Sequence, residues 1–193
     1  MNAVDLANTI VRQAGRFIGL REVKPNADWD NPKTPGRDLA LAKELRTMMR
    51  PSPWEEGWAY CAAFTEGVVT VALQSLGASA SQLQAWANVM TPHCVTSARN
   101  FREHHMLVIE PQPGAVWLAR HGTTSNGHAG IVTAIHRGSM ATIEANTSVD
   151  PTASERDREG DWITTRLCSV KGRGSLATLG FVNPASILQL IGP

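Results

Sequence analysis

Trp58-Ala59-Tyr60-Cys61-Ala62-Ala63-Phe64 sets a cysteine just ahead of a long apolar run, Val68 to Leu76, that reads as a buried helix. A cysteine at a helix N-terminus feels the positive end of the macrodipole. That lowers its pKa and favours the thiolate, which is the nucleophile. A free cysteine is also a common small core residue, so this feature alone leaves both readings open. A second stretch far downstream weighs on the first: Gly127-His128-Ala129-Gly130-Ile131-Val132, then Ile143-Glu144-Ala145-Asn146-Thr147-Ser148. A cysteine, a histidine and a polar orienting residue are the parts of an activated thiol nucleophile.

Around this pair the chain reads as helices first and strands after, an α+β pattern. Ala3, Ala7, Ile10, Ala14 and Phe17 recur at helical spacing and predict an amphipathic helix ending near Gly19. Residues 21–36 carry Pro25, Pro32 and Pro35 and read as a loop. Thr34-Pro35 opens a helix with Leu41, Leu45 and Met48 on one face, which stops before Pro51. The Cys61 helix closes near Gly77, and shorter helices follow over 81–90 and 97–105. Residues 116–118, 129–135, 140–145 and 162–167 are strand-like runs separated by Gly, Asn and Ser. No linker divides the 193 residues, so residues 1–193 read as one domain with room for a sizeable core.

Composition narrows the function classes. A formal net charge of +1 gives no electrostatic case for a nucleic-acid partner. No apolar run is long enough to span a membrane, so no membrane partner is expected. The N-terminus lacks a basic segment followed by an apolar one, so synthesis in the cytoplasm without a signal peptide is expected. The cysteines, Cys61, Cys94 and Cys168, are odd in number and widely spaced, a poor disulfide framework. Of the three, only Cys61 stands just ahead of a helix in a stretch like the one quoted above, so activity is expected to survive the loss of Cys94 or Cys168. His93-Cys94 and His104-His105 lack metal-ligand spacing, and residues 155–161 lack the order of a calcium loop. No metal and no cofactor are expected.

Cys61-Ala-Ala-Phe64, Pro113-Gly114-Ala115-Val116-Trp117, the His128 block and the Glu144 block, in this order, resemble the CHAP branch of the NlpC-type cysteine peptidases. Residues 18–22 and 180–184 resemble flanking blocks of such domains, so the likeness runs over most of the chain. The resemblance implies a papain-like α+β fold, with N-terminal helices packed on an antiparallel β-sheet. It implies a peptidoglycan hydrolase, an amidase or an endopeptidase, that cuts an amide of the cell-wall peptide. Cys61 is the expected nucleophile, His128 the base, Glu144 the group that orients the imidazole, and Asn146 a further polar member. Tyr60 is the nearest side chain for a second oxyanion donor, because the position six residues before the cysteine is Glu55, which cannot donate when ionised. Trp54, Trp58 and Trp162 are candidates for a substrate groove, against the plainer reading that most tryptophans are core.

Peptidoglycan is then the expected partner and the cell wall the place of action, reached by release or by delivery. That suits a bacteriolytic endolysin or an antimicrobial effector, the latter with an immunity protein as partner; a monomer is expected. The rival readings are a non-catalytic wall-binding or virion structural protein on the same fold, and a thiol-dependent transferase or deamidase.

The site also imposes a register. A two-residue loop at Arg137-Gly138 sets Glu144 opposite Ile131, on the sheet face away from His128, because strand side chains alternate. A three-residue loop sets Glu144 opposite Val132 and brings His128, Glu144 and Asn146 to one face. The expectation is therefore an odd-length loop or a bulge, with Gly138 at positive φ.

Overall fold

A computed structural model describes residues 1–23, 28–30, 37–49, 55, 58–148 and 162–192. Three helices lead the chain, α1 (Ala3–Gly15), α2 (Arg37–Met49) and α3 (Cys61–Ser75), with short strands β1 (Arg21–Val23) and β2 (Asp28–Asp30) after the first. Helices α4 (Ala80–Val89) and α5 (Cys94–Glu103) come next. Strands β3 (Val116–His121), β4 (Gly127–His136), β5 (Ser139–Thr147), β6 (Trp162–Ser169), β7 (Gly172–Arg173) and β8 (Leu176–Val182) follow, and α6 (Pro184–Ile191) ends the chain. The helices begin where their caps dictate. The Asn2 side chain accepts from the Asp5 N–H, and Ser79 with Gln82 forms a reciprocal capping box.

The strands run β6-β5-β4-β3-β8-β7, all antiparallel, and β7 pairs back onto β6 through Ser169↔Gly172. The sheet therefore closes into a six-stranded barrel, with β1 and β2 extending from β6 through Arg21↔Trp162. This corrects the expected papain-like arrangement of helices on a sheet. The overturning elements are β7 and β8, whose short, glycine-bearing sequences carry little strand signal yet supply the closure.

Closure separates two cores. Val116, Leu118, Ala129, Ile131, Ile143 and Ala145 face outward and join the helices in the larger one. Alternate residues Ala115, Trp117 and Ala119, with Val132, Met140, Cys168 and Phe181, fill the barrel. The central helix is α3. Every residue from Cys61 to Val69 is buried, so it is covered on all sides rather than amphipathic. Gly67 lets α2 reach it: a Cβ there would lie 2.7 Å from the Met48 carbonyl oxygen.

The β4–β5 hairpin meets the register requirement through a bulge. Its loop is the two-residue Arg137-Gly138, with φ of 46° and 80°, a type I′ turn. His136 thus faces Ser139, and the three-residue alternative is absent. The pairing then slips at Thr133, between Val132↔Thr142 and Ala134↔Ala141. Beyond the slip Glu144 faces Gly130, and His128 and Glu144 share the inner face.

Candidate active site

Cys61 and Cys94 are the first residues of α3 and α5, and their Sγ atoms lie 3.9 Å apart. Two positive helix ends thus meet at one pair of sulfurs, with no acidic residue in either first turn. Gly127 permits the approach of α5 to β4, because a Cβ there would sit 2.9 Å from the Cys94 Cβ. Pairing of β4 with β5 stops at Gly130↔Glu144, which leaves the Ala129 backbone to act on Cys61 and lower its pKa. Hydrogen bonding from the Cys94 thiol lowers the Cys61 pKa, burial opposes it, and His128 lowers it further; the result lies well below an ordinary thiol. Cys94 is driven the opposite way by its bond to Cys61, by burial and by the neighbouring charge. The first proton leaves Cys61 and the second stays on Cys94.

His128 is the second residue of β4, and its Nε2 lies 2.8 Å from Glu144 Oε2. An ionised carboxylate only accepts, so Nε2 carries the proton and Nδ1 is left to face Cys61. Burial pushes the imidazole pKa down, but the Cys61 thiolate and then Glu144 outweigh it and hold the value at about 9. The resting pair is therefore thiolate and imidazolium at neutral pH.

Glu144 is fully buried. Its carboxylate accepts from His128, from Thr142 Oγ1 at 2.6 Å, and from both Arg173 guanidinium nitrogens at 2.6 Å each. Burial raises its pKa, but His128 and Arg173 together hold it well below the usual carboxylate range. Arg173 comes from the closing strand β7, and its guanidinium lies 5.7 Å from the centre of the Trp117 ring. Trp117 meets the His128 ring edge-on at 5.9 Å and donates from Nε1 to Thr178 Oγ1 at 2.9 Å. The orienting carboxylate is thus itself held by a bidentate arginine, and the imidazole leans on an aromatic wall.

The structure brings Cys61, His128 and Glu144 together and treats the other expected residues differently. Asn146 sits at φ 56°, inside a second bulge where Glu144↔Thr164 gives way to Thr147↔Trp162. Its side chain makes no hydrogen bond to His128 or Glu144; Thr147 takes that face, with Oγ1 at 3.5 Å from Arg173 Nη2. Tyr60, just before the helix, is fully buried in the main core. Trp58 is half exposed, Trp162 is partly buried under Arg21, and Trp54 lies outside the described residues. Among the described residues no three His, Cys, Asp or Glu side chains form a metal cage, and no helix is long and apolar enough to cross a membrane.

Cys94, Arg173, Thr142 and Trp117 are site residues that the sequence reading passed over as such. A thiol at the start of a second helix was visible for Cys94; that it meets the first thiol was not. Arg173 carried no local signal, since its role depends on barrel closure. Comparison with protein-family models, curated proteins and solved structures finds no match.

Proposed function

We propose that this protein is a thiol hydrolase that cuts an amide bond of the peptide part of peptidoglycan. The observation that carries the chemistry is the chain Cys61, His128, Glu144, Arg173, in which each member holds the next in its working charge state. Such a constellation is recognised by geometry and roles, and it recurs on unrelated folds. The cell-wall substrate rests on the Cys61, His128 and Glu144 sequence blocks alone.

In this mechanism the Cys61 thiolate attacks the amide carbonyl. The oxyanion that forms lies at the start of α3, where the Cys61 N–H is a natural donor. The His128 imidazolium gives its proton to the leaving amine. Water, deprotonated by the now neutral imidazole, resolves the thioester and releases the acid. Glu144 keeps the Nε2 proton in place throughout.

Incubation of the purified protein with peptidoglycan, followed by mass spectrometry of the soluble fragments, tests this reading. New amine ends are expected, and their position separates an amidase from an endopeptidase. Cys61→Ala is expected to abolish them while the fold persists. Binding of peptidoglycan without any new terminus would instead support a wall-binding role, and intact activity in Cys61→Ala would remove the mechanism.

A further inference from the structure

We propose that Cys94 is a resolving thiol for Cys61, so that peroxide converts the pair into a reversible Cys61–Cys94 disulfide. The geometry carries this. Two free thiols from the starts of two helices sit in van der Waals contact, 3.9 Å apart, and both residues are 4% exposed. A disulfide needs the sulfurs at about 2.05 Å, a closure of roughly 2 Å from the present contact. The absence of a side chain at Gly127 sets Cys94 close enough to make the approach. Cys168 lines the barrel instead, in the other core. A redox-active cysteine has thiolate character and a neighbouring thiol poised to trap its first oxidation product. Hydrogen peroxide is small and uncharged, which suits a thiolate that presents only a sliver of surface.

In the first step the Cys61 thiolate sulfur attacks one peroxide oxygen. An S–O bond forms, the O–O bond breaks, and hydroxide leaves, taking a proton from the His128 imidazolium to become water. Cys61 has lost two electrons and is a sulfenic acid. In the second step the Cys94 sulfur attacks the Cys61 sulfur. The S–S bond forms, the S–O bond breaks, and the departing hydroxyl leaves as water with the Cys94 proton. Two thiols and one peroxide give one disulfide and two waters. Once Cys61 is a neutral sulfenic acid, the hydrogen bond to its thiolate and the charge beside it no longer help to hold the Cys94 proton in place. Without Cys94 the sulfenic acid has no adjacent thiol and proceeds to sulfinic and sulfonic acids, which thiol reductants do not reverse.

The test treats the full chain with hydrogen peroxide, blocks remaining thiols, digests with a glutamate-specific protease and maps the products by mass spectrometry. Glu66 lies between the two cysteines, so the cross-link appears as two joined peptides. Oxidation of the half-exposed Met1 reports that the dose was sufficient. The expected result is a Cys61–Cys94 link that dithiothreitol fully reverses, and, in Cys94→Ser, irreversible oxidation of Cys61. If Cys94→Ser fails to fold, the wild-type map decides alone. A link to Cys168, unreacted Cys61 beside oxidised Met1, or irreversible Cys61 oxidation in the wild type equal to that in Cys94→Ser would overturn the proposal. The readout is mass, so it stands whether or not the protein cuts peptidoglycan.

Discussion

Glu144 keeps its charge while fully buried because four donors hold it, and its substitution has two separable consequences. Glu144→Gln leaves the Arg173 guanidinium opposite a neutral amide; breaking a buried ion pair costs about 3–5 kcal/mol, nearer the lower end here because Arg173 is 23% exposed. It also removes one of the influences that hold the His128 pKa at about 9, so the alkaline limb of the proposed hydrolysis is expected to move to lower pH. The stability linkage has two signs. The folded Glu144 pKa is depressed, so its contribution is present above the ordinary carboxylate range and is lost as pH falls through the folded value. The folded His128 pKa is raised, so its contribution is full below 6.5 and is lost as pH rises through about 9. Thermal melts of wild type and Glu144→Gln across pH should differ most between these limits and converge in acid. Cys94→Ala removes the thiol that hydrogen-bonds the thiolate, and Cys61 then titrates at higher pH. The pH dependence of alkylation by a small iodo-amide reagent is expected to shift upward. An unmoved profile would show that the sulfur contact does not tune Cys61. Cys61, His128 and Glu144 were legible as a candidate site because each sits in a short local pattern. Cys94 and Arg173 were not, because their meaning lies in contacts across 33 and 29 residues of chain.

At the scale of elements, two bulges position the site. Thr133 shifts β4 by one residue and brings Glu144 to the His128 face, so the bulge could be argued from the need to join the two side chains. The second bulge, at Asn146, was not foreseen. It ends the β4–β5 pairing early, where the Ala129 backbone meets Cys61, and turns Thr147 rather than Asn146 toward Arg173. Asparagine tolerates the left-handed region better than most residues, and glycine occupies it without penalty. Asn146→Gly is therefore expected to retain activity and pH profile, with stability changed by no more than about 1 kcal/mol. Asn146→Val forces a β-branched residue to φ 56° and should destabilise by about 1–3 kcal/mol. Urea melts with activity assays check both. A large fall in activity of well-folded Asn146→Gly would return the side chain to the chemistry.

The whole molecule joins its closure to its chemistry at one dipeptide, Gly172-Arg173. Among the described residues, helices α1 to α5 and strands β3 to β6 lie where the sequence shows apolar runs or periodicity, whereas β1 and β2, in a stretch that reads as a loop, and the short α6 after Pro184 do not. Closure of the barrel depends on β7, two residues long, which has no periodicity to read. Gly172 makes the closing pair with Ser169, at φ 115°, and a Cβ there would fall 2.0 Å from the Leu176 carbonyl oxygen. No side chain fits without moving β7 away from β8. Arg173 would move with it, and Glu144 would lose its bidentate partner while remaining buried. Gly172→Ala is thus expected to lower stability by several kcal/mol, from backbone strain and the loosened ion pair together. The alkaline limb is not expected to move as it does in Glu144→Gln, because the carboxylate still faces His128. Gly174→Ala is the control. Its φ of 51° is also left-handed, but a Cβ there meets nothing within 4 Å, so only the strain of about 1–2 kcal/mol remains. Thermal melts of the two variants, with hydrogen exchange at the β6–β7 amides, measure the coupling. Equal losses in both variants would mean that closure at Gly172 does not hold Arg173 in place. A much larger loss in Gly172→Ala, with fast exchange confined to β6 and β7, would make barrel closure the support of the Glu144 carboxylate.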